Sequence, residues 1–182
     1  MDKFYTMTIA GYERHLPICR LNEAVSIAGF VIFGDVELTV ASSTELLKKV
    51  PEFDVILTAE AKGIPLAYEM ARQSGKPYFI ARKYPKLYMP EVVSVKVRSI
   101  TTDKEQTLYM DRGEMDIMKG KRVLVVDDVI STGESLKALE SIVAQAEGIV
   151  AGRAAILAEG DAAERQDIVY LEPLPLIFND AQ

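Results

Sequence analysis

The stretch "RVLVVDDVISTGESLKAL", residues 122–139, sets an apolar run against two adjacent aspartates, then passes through a Ser-Thr-Gly segment into a helical pattern. The run Val123–Val126 is continuously apolar rather than alternating, which indicates a strand buried on both faces. The residues from Glu134 onward, "ESLKALESIVAQAEG" (134–148), place apolar side chains at helical spacing. The stretch is therefore a strand, a turn and a helix, with Asp127 and Asp128 at the carboxyl end of the strand. A helix N-terminus offers unpaired N–H groups and partial positive charge, so the turn Ser131, Thr132, Gly133, Glu134 and Ser135 can hold a phosphate. Its hydroxyls add donors, and Gly133 permits close backbone approach. Two carboxylates cannot hold a phosphate. They suit vicinal hydroxyls, or a metal-bound group, beside it. A phosphate next to a diol describes a ribose 5-phosphate. Ser131 with Glu134 also matches a capping box, and one aspartate could cap a helix with no ligand at all. The spacing is neither a Walker A loop nor G-x-G-x-x-G.

Working outward, the same order recurs. "DVILTAE" (54–60) is a buried-strand run, "IPLAYEMARQSG" (64–75) a helix ending at Gly75, and "PYFIAR" (77–82) another strand. After the central stretch comes the strand "IVAGRAAILAE" (149–159). Continuous apolar strands separated by amphipathic helices predict an α/β fold, a parallel sheet flanked by helices. In such sheets ligands collect at the carboxyl ends of the strands. Upstream, "TMTIAGY", "HLPICRL" and "AVSIAGFVIF" read as N-terminal strands, and "SSTELLKKV" as a short helix with Ser42 and Glu45 forming a capping box. Between two core strands, "VVSVKVRSITTDKEQTLYMDRG" (92–113) alternates through its first half and carries a polar tip. It reads as an inserted β-hairpin, a flexible flap able to exclude water from a reactive intermediate.

Composition narrows the function classes. The chain has 182 residues, 49% hydrophobic and 26% charged, with a net charge of -6. That fits one globular domain and argues against non-specific nucleic-acid binding. One cysteine, Cys19, excludes an internal disulfide and fits a reducing compartment; one histidine, His15, leaves no His cluster for a metal. His15 reads as an ordinary surface or packing residue. Asp2 and the lack of a long apolar run near the start argue against a secretory signal. The longest apolar run, "VSIAGFVIF" (25–33), is about half of a membrane span. The expected location is the cytoplasm.

"VLVVDDVISTGES" resembles the phosphoribosyl-pyrophosphate (PRPP) signature of the type I phosphoribosyltransferases: four apolar residues, two acids, two apolar residues, then a small-Thr-Gly segment. Where that family commonly carries Gly-Thr after the glycine, this chain has Glu134-Ser135. The hydroxyl is kept, an acid stands beside the phosphate position, and its side chain is expected to point outward. "LTAEAKGIPLAYEMA" (57–71) looks like the family's pyrophosphate loop, which makes Ala61, Lys62 and Gly63 diphosphate-binding. "ARKYPKLY" (81–88) adds a basic patch of Arg82, Lys83 and Lys86, as an anionic substrate requires. Taken alone, Lys62 is also a surface lysine in a βα turn, and the patch a solvated charge cluster.

The nearest likeness is to the purine branch, the adenine and xanthine phosphoribosyltransferases. "GFVIFGDVEL" (29–38) looks like the segment that stacks an aromatic on the base, which nominates Phe33. Adenine enzymes typically carry an acid near Val97, Arg98 and Ser99, and an arginine where Gly34 stands. Neither is present. The resemblance implies a single domain, with a small hood from 1–38 and 160–182, a core from 39–159 and a flexible hairpin at 90–113. It implies PRPP and a purine base as substrates, Asp127 and Asp128 as catalytic, Mg²⁺ held mainly by substrate with no protein metal site, and a homodimer. The alternative is a non-catalytic PRPP-sensing effector domain of purine-repressor type. Against it stand the negative charge, the β-rich N-terminus and the lack of a visible DNA-binding region.

Overall fold

The structure, a computed structural model, describes residues 4–98 and 105–179. Its centre is a parallel sheet of β4 (Val55–Ala59), β5 (Tyr78–Ala81), β8 (Arg122–Ile130), β9 (Ile149–Glu159) and β10 (Val169–Leu174), in the order β10-β9-β8-β4-β5. A smaller antiparallel sheet has the order β1 (Phe4–Ile9), β2 (Tyr12–Arg20), β3 (Val25–Ala28), β11 (Leu176–Phe178). Strands β6 (Val92–Arg98) and β7 (Glu105–Asp111) pair as a separate hairpin.

The apolar run in β8 explains the layering. Successive side chains point to opposite faces. Val123 and Val125 join one buried cluster, with Leu136, Leu139 and Ile142 of α4 (Glu134–Gln145) and Met115 and Met118 of α3 (Arg112–Met118). Leu124 and Val126 join the other, with Leu38 and Leu46 of α1 (Val36–Leu47) and Leu66 and Met70 of α2 (Ile64–Ser74). Both faces are covered, so no position in the run is polar until the aspartates. The base of the hairpin packs into the first cluster through Val95, Leu108 and Met110. Arg82 and Tyr109 exchange backbone hydrogen bonds of 2.8 Å, fastening the hairpin to the end of β5.

Sheet order fixes where a ligand can sit. From β4 the chain winds outward to β5; from β8 it winds the other way to β9 and β10. The crevice between the carboxyl ends of β4 and β8 is therefore the topological switch point, the usual ligand position in an open α/β sheet.

Several local expectations are corrected. Helix α1 begins at Val36, not near Ser42, because Asp35 is its N-cap. The Asp35 carboxylate accepts from the Leu38 amide at 3.1 Å and is gripped by Arg14 Nε at 2.6 Å and Nη2 at 2.9 Å. That salt bridge holds its carboxyl below the usual range. Ser42 is buried in mid-helix with no hydrogen bond to its hydroxyl. The 92–113 stretch is not hairpin to its end: Asp111 caps α3 by accepting from the Gly113 amide at 2.9 Å. The polar tip, residues 99–104, lies outside the described residues. At the C-terminus β10 pairs parallel to β9 inside the core sheet, and only β11 crosses to pair with β3. Thus the core runs on to Leu174, and the terminal contribution to the hood is three residues of strand. No helix among the described residues is long and apolar enough to cross a membrane.

Replacing the true cap should cost stability while the expected one should not. Asp35→Ala is expected to lower unfolding free energy by at least about 1 kcal/mol, measured by urea denaturation. Ser42→Ala should cause no loss, since its buried hydroxyl has no partner.

Candidate active site

The site is built from the residues that leave β4 and β8. Strand β8 continues two residues past the aspartates, with Val129 beside Leu157 and Ile130 beside Ala158 of β9. Asp127 and Asp128 therefore sit within the strand's final turnout, held rigidly by the ladder. Asp128 is buried at 3% exposure, and its amide donates to Asp127 Oδ1 at 2.9 Å. Burial, then the Asp128 charge and a side-chain hydrogen bond with Asp128, push the Asp127 carboxyl up from the ordinary 3.8 to about 7. The Asp128 amide and Lys62 oppose this.

Lys62 crosses the crevice. Its Nζ lies 2.8 Å from Asp128 Oδ2 while its side chain remains 46% exposed. The ion pair thus joins the turn after β4 to the end of β8, at the switch point. Gly63 allows this approach: a Cβ there would lie 2.2 Å from Thr58 Oγ1 and 3.3 Å from Asp127 Oδ1. The Glu60–Ala61 peptide in the same turn is cis.

The basic patch is gathered by a residue that the sequence reading passed over. Glu60 accepts from the Lys83 amide at 3.0 Å, and its Oε1 lies 3.7 Å from Arg82 Nη1 and 3.6 Å from Lys86 Nζ. The Lys83 amide first, then Lys86 and Arg82, hold the Glu60 carboxyl below its usual range. Arg82, Lys83 and Lys86 are thereby tied to the turn containing Ala61, Lys62 and Gly63. Glu159 is a second missed acid. Burial raises its pKa and Lys62 opposes that, so it too borders the crevice. Both follow the rule that the residue ending a parallel strand faces the ligand; inspecting the last residue of each predicted strand would have found them.

The turn after β8 forms a concave pocket lined by Asp127, Val129, Ile130 and Ser131–Leu136. Gly133 is the N-cap of α4 at φ +78°, and no side chain caps this helix. The capping-box alternative for Ser131 and Glu134 is therefore not what forms. The Glu134 amide lies 3.5 Å from Thr132 Oγ1. Ser131, Thr132 and Ser135 are exposed, whereas Glu134 is half-buried. An uncapped helix start with hydroxyls around it offers donors to an anion.

Phe33 does not lie on a strand. Strand β3 ends at Ala28, and Phe33 stands 52% exposed in the turn that Gly34, at φ +82°, closes before α1. The structure therefore brings together the aspartates, the turn after β8, Lys62 and the basic patch, while Phe33 is an exposed turn residue ahead of α1. Val97 and Arg98 end β6, and Ser99 lies outside the described residues.

Comparison with known proteins identifies the family. Residues 39–175 match the phosphoribosyl transferase domain. The chain is 34% identical over 113 residues to hypoxanthine/guanine phosphoribosyltransferase of Methanocella paludicola, covering 60% of this chain and 54% of that one. It is 36% identical over 118 residues to adenine phosphoribosyltransferase of Cenarchaeum symbiosum, covering 64% of this chain and 66% of that one. The chain thus spans about half to two thirds of the length of these curated relatives. The crystal structure of adenine phosphoribosyltransferase from Thermoanaerobacter pseudethanolicus superposes with a TM-score of 0.69 at 20% identity, covering 94% of this chain and 95% of that one. At that identity it establishes a shared fold.

The raised Asp127 pKa carries a stability consequence. Between the unfolded carboxylate value and about pH 7 the folded chain keeps a proton that the unfolded chain loses, so this group's contribution falls as pH rises. Asp127→Asn keeps the oxygen that accepts from Asp128 but removes the charge. Its melting temperature should exceed the unsubstituted protein's by more at pH 8 than at pH 4 in calorimetry. An equal difference at both pH values would contradict the assignment.

Proposed function

From the premise that this chain belongs to the phosphoribosyl transferase domain family, we propose that it transfers ribose 5-phosphate from PRPP to a purine-type base and releases diphosphate. The observation that carries this reading is the paired arrangement at the switch point. An anion-receptive turn follows directly on two carboxylates, and Lys62 reaches one of them from the opposite loop. The named activities of the relatives support the purine class of acceptor.

Each group has a separate task in this mechanism. The amides and hydroxyls of Ser131–Ser135 hold the 5-phosphate, which fixes C1 for attack. Asp127 and Asp128 accept hydrogen bonds from the ribose 2- and 3-hydroxyls. As the C1–diphosphate bond breaks, positive charge grows on the ribose, and the same carboxylates favour it. Lys62 turns from Asp128 toward the departing diphosphate, joined there by the Ala61 and Gly63 backbone and by Arg82, Lys83 and Lys86. A ring nitrogen of the base forms the new bond to C1, and its proton leaves with the departing diphosphate. The hairpin of β6 and β7, fastened beside Arg82, covers the cation from water.

Mg²⁺ belongs to this reading as a cofactor carried mainly by substrate oxygens. Among the described residues no group of three or more His, Cys, Asp or Glu could hold a metal by itself. Asp127 and Asp128 nevertheless present oxygens whose mutual repulsion a cation would relieve, as Mg²⁺ habitually binds one or two carboxylates together with phosphates. When bound, it screens the charge of the leaving diphosphate.

A homodimer in a cytoplasmic setting completes the proposal. Tyr84 at 71%, Leu87 at 108% and Tyr88 at 67% exposure project from the segment that carries Lys83 and Lys86. A second copy covering them would hold that basic segment in place. The lone exposed Cys19 suits a reducing compartment.

Two outcomes test this. Asp128→Asn should lower turnover with PRPP and an accepted purine by roughly a hundredfold or more, and weaken PRPP binding in calorimetry. Unchanged PRPP affinity would contradict the ribose role. Leu87→Asp should shift the protein from dimer to monomer in analytical ultracentrifugation, whereas a monomeric unsubstituted protein would refute the dimer.

A further inference from the structure

We propose that Arg165 is an additional phosphate ligand, its Nη1 donating to the 5-phosphate held on the Ser131–Ser135 turn. The proposal rests on the reading that this turn binds a phosphate monoester. Its starting point is Gly133, where a Cβ would lie 2.8 Å from Arg165 Nη1. The guanidinium therefore overhangs the backbone at which α4 begins, the point toward which the first-turn amides of the helix are aimed.

The rest of the guanidinium is already held. Nε donates to Asp167 Oδ1 at 2.9 Å and Nη2 to Asp167 Oδ2 at 2.8 Å, a two-toothed grip that fixes the plane of the group. Nη1 has no hydrogen-bond partner among the described residues. Asp167 is braced in turn. Arg153 Nε lies 3.8 Å from its Oδ2 and also donates to Glu140 of α4. The arginine is thus anchored to the same helix whose N-terminus it overhangs, so it is preorganised rather than free to swing.

Charge balance gives the group a purpose. From Val129 to Ser135 the turn contains no lysine or arginine, and it contains Glu134. Asp127 and Asp128 immediately precede it. A phosphate dianion seated there would meet Glu134 and the two aspartates, of which Asp128 is paired with Lys62, and from the turn itself only the partial charge of one helix start. Arg165, which enters from the segment between β9 and β10, supplies the full positive charge that the turn lacks. The bland reading is an ion pair with Asp167 that only secures a surface segment. The two differ in ligand selectivity, because a structural role would not single out the phosphate monoester.

Calorimetric titration of ribose 5-phosphate, and separately of inorganic diphosphate, distinguishes them for the unsubstituted protein, Arg165→Gln and Arg165→Lys. Arg165→Gln should weaken ribose 5-phosphate roughly tenfold or more, the usual effect of losing a charge-assisted hydrogen bond. Diphosphate affinity and the melting temperature should be little changed. Arg165→Lys, which keeps the charge but loses the grip on Asp167, should fall between. Equal ribose 5-phosphate affinity in Arg165→Gln and the unsubstituted protein would overturn the proposal while leaving the proposed activity standing. Equal weakening of both ligands with a lowered melting temperature would overturn it in favour of the structural role. Failure of the unsubstituted protein to bind ribose 5-phosphate at all would remove the phosphate turn itself, and this proposal with it.

Discussion

The ion pair between Lys62 and Asp128, 2.8 Å across the crevice between β4 and β8, is the contact on which the site depends. A carboxylate with 3% exposure is costly to keep charged without a partner. The partner can reach it only because Gly63 leaves room for Thr58 and Asp127 where any side chain would collide. Sheet order then does the remainder. Because the chain winds in opposite directions from these two strands, their loops border one crevice, which Lys62 spans. In the proposed reaction a substrate entering the crevice would exchange one set of charges for another, its hydroxyls taking the carboxylates and its diphosphate the lysine.

The net charge is -6, so the proposed polyanionic substrate would need locally placed cations. The positive groups beside the crevice are placed by acids. Glu60 gathers Arg82, Lys83 and Lys86 beside the turn after β4, and Asp167 orients Arg165 over the turn after β8. Each of these acids lowers the local charge, yet each also fixes where a cation stands. Positioned cations do more for recognition than mobile ones, since less conformational freedom is lost on binding. The Asp127–Asp128 pair shows the opposite device, a carboxyl kept buried beside a second acid in the folded state.

The sheet was legible because its signal is long and redundant. A continuous apolar run followed by a helical period occurs at β4 and again at β8, and a residue buried on either face must be apolar for the same reason. The aspartates and their turn were legible because the chemistry is contiguous in sequence. What escaped notice was non-local or short. Asp35 caps α1 with support from Arg14, twenty-one positions earlier, while Ser42 and Glu45 offered a local pattern that happened to match. Helix α3 spans seven residues, too few to show a period. Strand β10 carries Pro173, which weakens a strand signal but is tolerated at the edge where β10 lies. Glu60 and Arg165 acquire their meaning only from the loops that folding sets beside them, and Phe33 stands in a turn rather than a strand because β3 ends at Ala28.

The central claim is a chemical one: that this crevice breaks the C1–diphosphate bond of PRPP and joins C1 to a purine nitrogen. Mass spectrometry of the purified protein incubated with PRPP, Mg²⁺ and a panel of adenine, hypoxanthine, guanine and xanthine tests it directly. Diphosphate and one nucleoside 5-monophosphate are expected in equal amounts, formed only with the accepted base. PRPP that binds yet remains intact with every base would contradict it, and would leave a sensor in place of an enzyme.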